Sequence, residues 1–198
     1  YSAYATAFLL GTNNTRAFLL LDRARDYGFR AWELQFGWKS VPSLPVDDWH
    51  KKLMELRQED IAYLFWTANA WASWITVHPE SVVAIADLPY VKAALDRVIQ
   101  LDESFQNGSA HLFFGMFYAV QPAGIGRDLE KSETHFKRAI ELAGPNSMLP
   151  RVLYARYYAR AAFDIDLFTR TLQEVLAFPS KSPDPNLNLM NAIARERA

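Results

Sequence analysis

Apolar and polar positions recur at helical spacing along almost the whole chain, and no stretch alternates convincingly as a half-buried strand does. A first helix is expected over Tyr1 to Leu10, ended by Gly11-Thr12-Asn13-Asn14, a turn that also supplies an N-cap. A long amphipathic helix follows from about Asn14 to Phe36, with Ala17, Leu21, Ala24 and Trp32 on its apolar stripe and Gly28 as a point of weakening or bending. Gly37, Pro42 and Pro45 mark the next loop, and Asp47 or Asp48 starts a short helix through Leu56. Glu59-Asp60 opens a helix to Val77 that stops before His78-Pro79. A short helix over 80–87 and a longer one with Pro89 in its first turn, ending at Leu101, come next. Further helices are expected over Ser109 to Val120, Asp128 to Ala143, Met148 to Phe163 and Ile165 to Phe178, with a last short one near Ala198. The fold class is all-α.

Four of these helices repeat one pattern: a small or apolar residue, a bulky one four later, and a small or apolar one three after that. They read Ala17-Leu21-Ala24, Val91-Leu95-Val98, Ser132-Phe136-Ala139 and Phe168-Leu172-Val175. The bulky centres lie 74, 41 and 36 residues apart, against a tetratricopeptide period of about 34. The expectation is an α-solenoid of antiparallel helix pairs with degenerate, insertion-bearing repeats, forming one helical-repeat domain over 1–198; an irregular bundle is the alternative.

Composition narrows the function classes. Of 198 residues, 51% are apolar and 22% charged, which excludes a disordered chain. The 21 basic and 22 acidic side chains lack the cationic excess of a nucleic-acid binder. No apolar run approaches the ~20 residues of a membrane-spanning helix. The sequence has no cysteine, which removes disulfides, thiolate metal sites and cysteine nucleophiles. No Met or export signal precedes Tyr1, so the chain reads as a mature or trimmed segment.

Candidate chemistry is sparse. His50, His78, His111 and His135 form no His-x-x-x-His pair, so a metal site requires tertiary convergence; no metal or cofactor is expected. Gly124-Ile125-Gly126 before Lys131-Ser132 lacks P-loop order, and no serine sits in a nucleophile elbow. No enzymatic activity is expected. In the helix from Glu59-Asp60, Tyr63, Trp66, Ala70 and Trp74 fall on one arc with Trp71 just beyond it. This arc reads either as core packing or as the wall of an apolar site. Arg156 and Arg160 share a face and suit a carboxylate; the alternative is that they pair, with Arg151, to Asp164, Asp166 or Glu174.

Several stretches together resemble the T-component family of TRAP transporters. They are Tyr1-Ser2-Ala3-Tyr4-Ala5, the tryptophan helix from Leu64-Phe65-Trp66 to Trp74-Ile75, Leu101-Asp102-Glu103-Ser104, Gly108-Ser109-Ala110-His111-Leu112-Phe113, Glu130-Lys131-Ser132 through Leu142, and Leu153-Tyr154-Ala155-Arg156-Tyr157-Tyr158-Ala159-Arg160. The resemblance implies a bacterial periplasmic lipoprotein with cryptic tetratricopeptide repeats. Its partner would be the substrate-binding P component of a tripartite ATP-independent periplasmic transporter. Family members carry a lipidated cysteine near the start and further N-terminal helix, so the resemblance implies a truncated chain. It also implies a homotrimer. On the residues, Trp32, Trp38 and Trp49 lie in or beside a loop-rich region and are not all expected in the core, so exposed aromatics would mark that interface. A ligand- or partner-binding groove is expected where Tyr63, Trp66, Trp71 and Trp74 face Phe113, Phe117 and Tyr158, with Arg156 and Arg160 as carboxylate contacts and a hydrophobic small molecule as a further occupant. The alternative function is a free-standing carrier of an apolar ligand.

Overall fold

The computed structural model describes residues 15–198, all helices, turns and loops, with no strand among them. The helix expected over Tyr1 to Leu10 lies outside the described residues. The helices are α1 (Thr15–Phe36), α2 (Val46–Met54), α3 (Ile61–Val77), α4 (Val82–Ala86), α5 (Leu88–Asp102), α6 (Phe105–Val120), α7 (Leu129–Ala143), α8 (Leu149–Leu153), α9 (Ile165–Ala177) and α10 (Asn188–Arg197). Short 3-10 turns stand at Val41–Ser43, Gln58–Asp60 and Pro185–Leu187. The start and stop residues act as their chemistry dictates. The Ser81, Asp128 and Asp164 side chains accept the backbone N–H groups of Ala84, Lys131 and Leu167, which would otherwise lack partners in the first turn.

Two local features depart from regular helix, the first at Asn107-Gly108-Ser109, whose composition marks a turn and a helix start. Gln106, Asn107 and Gly108 all take positive φ (50°, 56° and 74°), so a left-handed turn precedes the straight part of α6, which begins at Ser109. Tyr154–Ala159 continues α8 as a π-helix, a rare wide turn often found at functional sites. Phe163 closes this helix at φ 58° and is 85% exposed, in a place where glycine is usual.

The chain divides into two compact units, Tyr1–Asp102 and Glu103–Ala198. In the first, α3 packs on α1 and α5, and α5 also packs on α2. Gly28 serves proximity: a Cβ there would come within 2.6 Å of Thr67, so its absence lets α1 lie close against α3. Trp32, Trp38 and Trp49 correct the expectation of exposed aromatics. They are 0%, 6% and 0% exposed and pack on one another with ring centres 5.2–5.9 Å apart. Helices from either side of the loop converge on it and enclose all three. The Trp32 indole donates to the Tyr63 carbonyl at 3.0 Å and the Trp49 indole to that of Tyr90 at 3.0 Å. These rings therefore lend nothing to a self-association surface.

In the second unit α7 packs on α6, and the π segment packs on α6, α7 and α9. The contacts run antiparallel: Ser132 donates to the Gly115 carbonyl at 2.7 Å, and Phe136 and Tyr154 rings lie 5.6 Å apart. One core cluster holds Leu112, Phe136, Ala139 and Tyr154, and another holds Met148, Val152, Ala155, Leu172, Val175 and Ala194. Eleven of the twelve residues in the four recurring triplets are buried, Phe168 being partly so.

Candidate functional site

The aromatic residues singled out in the sequence divide between the units. In the first, Trp71 is fully buried and Trp74 is 8% exposed; both face α1. The Trp71 ring meets Phe29 edge-on at 4.8 Å, and its indole donates to Asp87 at 2.8 Å. Trp74 donates to Asp22 at 2.6 Å, stacks near His78 at 4.8 Å and carries the Arg25 guanidinium 3.9 Å above its face. Each indole N–H is thus satisfied by a carboxylate, as burial demands. Asp87 is itself buried. Burial pushes its carboxyl above the ordinary range, against the lowering effect of the Trp71 hydrogen bond and the Arg25 charge. Trp66 is half-buried and lies against Phe65, while Tyr63 is exposed and packs edge-on to Phe36 at 5.9 Å. An open cleft of about 350 Å³ nearby is floored by Phe29, Trp38 and Val41 and rimmed by Asp26, Arg30 and Glu33.

In the second unit Phe113 and Phe117, one helical turn apart, stack at 5.8 Å and are both half-buried. Tyr158 stacks on Tyr154 at 4.9 Å, nearly parallel, and no ring contact joins it to Phe113 or Phe117 among the described residues. The Tyr154 hydroxyl donates to Glu133 at 3.2 Å, Lys137 pairs with the same carboxylate at 2.8 Å, and Tyr158 also bears on it. Burial pushes both phenols up, with the Glu133 charge next in effect. Arg156 donates to the Arg197 carbonyl at 3.1 Å, and Arg160 is exposed. Arg151, half-buried, donates to the Ser147 carbonyl at 2.7 Å; burial lowers its pKa, against the raising effect of the nearby Glu174 charge.

Two groups were missed in the sequence. His111 and His135, 24 positions apart, meet with their Nδ1 atoms 2.9 Å from each other. Helix spacing gave no sign of this, because the partners sit on different helices. The second group is apolar and exposed: Ile125 (83%), Phe163 (85%) and Ile165 (76%). Because α6, α7, the π segment and α9 run antiparallel in turn, the 121–128 and 162–164 turns lie at the same end of this unit. A bulky residue directly before Asp164, an N-cap, was the available signal.

Among the described residues no three His, Asp or Glu side chains converge to hold a metal ion, and no helix is long and apolar enough to cross a membrane. An uncharacterized protein of Treponema pallidum (strain Nichols) is 23% identical over 154 residues, covering 75% of this chain and 46% of its own length. The chain therefore spans about half the length of that relative. The family described as TRAP transporter T-component matches residues 1–198, the whole of the sequence, and the chain belongs to that family.

Proposed function

We propose that this chain is a non-enzymatic accessory component of a TRAP solute transport system, acting in the bacterial periplasm, where a lipid anchor outside this sequence holds it to a membrane. The family match along residues 1–198 carries the reading. The protein works as one α-solenoid of degenerate tetratricopeptide-like repeats and as a homotrimer, and it docks the substrate-binding P component. The burial of the recurring triplets supports the repeat reading, since each helix spends that stripe on its neighbours and leaves the opposite face for partners.

The contacting set comprises Tyr63, Trp66, Trp71 and Trp74 in the first unit and Phe113, Phe117 and Tyr158 in the second, with Arg156 and Arg160 for a carboxylate. The exposed Tyr63, the half-buried Phe113–Phe117 stack and the π turn beneath Tyr158 support this. Ile125, Phe163 and Ile165, exposed at one end of the second unit, are added to it, because exposed apolar side chains mark contact surfaces.

Co-expression with the P component encoded beside it, followed by affinity purification and sedimentation, tests the reading. The expected result is a stable complex with a trimeric core. A monomer that never retains the P component sinks it. A native mass spectrum showing a bound apolar molecule and no protein partner would favour the carrier function instead. Phe113→Ala with Phe117→Ala should reduce P-component retention at least tenfold while circular dichroism stays unchanged.

A further inference from the structure

We propose that the His111–His135 contact is an acid-sensitive latch between α6 and α7, closed while at least one of the two rings is neutral and released when both carry a proton. This device stands independently of the transport reading. Its geometry fixes the protons. The His111 Nε2 atom is buried, forms no hydrogen bond, and lies 3.4 Å from the Glu103 carboxylate. A proton at Nε2 is favoured by that negative charge, which makes His111 Nδ1 the unprotonated atom. His135 Nδ1–H then donates across the 2.9 Å gap. A proton gained at His135 Nε2 leaves this bond intact. A second proton, gained at His111 Nδ1 while His135 is already cationic, sets two N–H groups against each other, with the Arg138 charge acting on His111 as well.

The surroundings oppose the second proton. His111 is 7% exposed, and the His135 ring is stacked on Phe114 at 5.0 Å and Tyr118 at 5.8 Å. Burial lowers the His111 pKa most; Glu103 raises it and the Arg138 charge lowers it. Glu103 is held below the ordinary carboxylate range, by Arg138 first and His111 after it, so it keeps its charge while His111 titrates. Arg138 also pairs with Glu141 at 2.6 Å. Lys131 lies 5.5 Å over the Tyr118 ring and pairs with Asp128, Lys137 pairs with Glu133, Tyr154 and Tyr158 from the π segment turn to Glu133, and Arg151 of α8 holds the Ser147 carbonyl.

The sign follows from linkage. The folded chain binds a proton at His111 less readily than the unfolded chain. The contribution is therefore complete above the ordinary histidine value of 6.5 and is lost as pH falls below it, by up to about tenfold in the opening equilibrium per pH unit. Hydrogen exchange of the full chain, read by mass spectrometry and corrected for the intrinsic rate at each pH, tests this between pH 7.5 and 5. Opening of α6 and α7 should rise toward that limit below pH 6.5, while α1 and α3 do not follow. His111→Asn places an amide oxygen where Nδ1 stood and cannot titrate, so its α6–α7 opening should be flat. An equal rise in His111→Asn, or none in the parent chain, overturns the proposal. Ring titration of the parent chain by NMR is decisive even where that variant fails to fold. His111 should titrate below the ordinary histidine value, and titration of His111 at that value overturns the latch.

Discussion

Single side chains in this protein are constrained by what stands directly opposite them. A Cβ at Gly115 would lie 2.8 Å from the Phe136 ring, as one at Gly28 would lie against Thr67. Gly28→Ala and Gly115→Ala should each cost about 1–3 kcal/mol in urea unfolding, because neither neighbour is at the free end of a flexible side chain. Asp87 gives a pH-dependent case. Its carboxyl is raised by burial, so the folded chain holds that proton more tightly than the unfolded one. The stability it contributes therefore declines as pH rises from the ordinary carboxylate range through the raised value, and is constant beyond it. An asparagine oxygen can still accept from Trp71, so Asp87→Asn should gain on the parent chain between pH 4 and 7 in urea unfolding. Phe163, strained at φ 58° and 85% exposed, gives the opposite kind of change. Phe163→Gly should raise the unfolding free energy by about 1 kcal/mol, measured by the same titration.

Elements are set by their ends and by one irregular turn. Asp164 begins α9 by accepting the Leu167 N–H at 2.8 Å, and Asp164→Ala should cost about 1 kcal/mol through loss of that cap. The boundaries of nearly every described helix follow from such residues and from proline placement, which is why they were legible within a residue or two. The left-handed turn at Gln106–Gly108 was legible only in part: Asn107-Gly108 marks a turn, but nothing in it specifies three consecutive positive φ values. The π segment carried no signal at all, because Leu153 to Arg160 has an ordinary helical composition. The wide turn there accompanies the Tyr154–Tyr158 stack and its hydrogen bonding to Glu133. Removing the Tyr154 hydroxyl with Tyr154→Phe should cost about 1 kcal/mol and leave the helix content unchanged in circular dichroism.

On the scale of the whole molecule, all six tryptophans fall within the first unit. Tryptophan fluorescence therefore follows that unit, whereas circular dichroism follows helices in both. The sequence by itself determined the all-α class, the succession of helices and the buried triplets, because periodicity and caps are local properties of the chain. It also carried the family, through short segments spread over its length. Only the tertiary structure decided the fate of side chains whose partners are distant in sequence. Trp32, Trp38 and Trp49 sit by a loop yet form core, because α1, α2 and the intervening turn fold onto them. His111 and His135 meet because α6 and α7 run antiparallel in one register. Ile125 and Phe163 remain outside because their turns leave the packed layer. Helical periodicity specifies which face of a helix is apolar; the register and separation of neighbouring helices specify what that face meets.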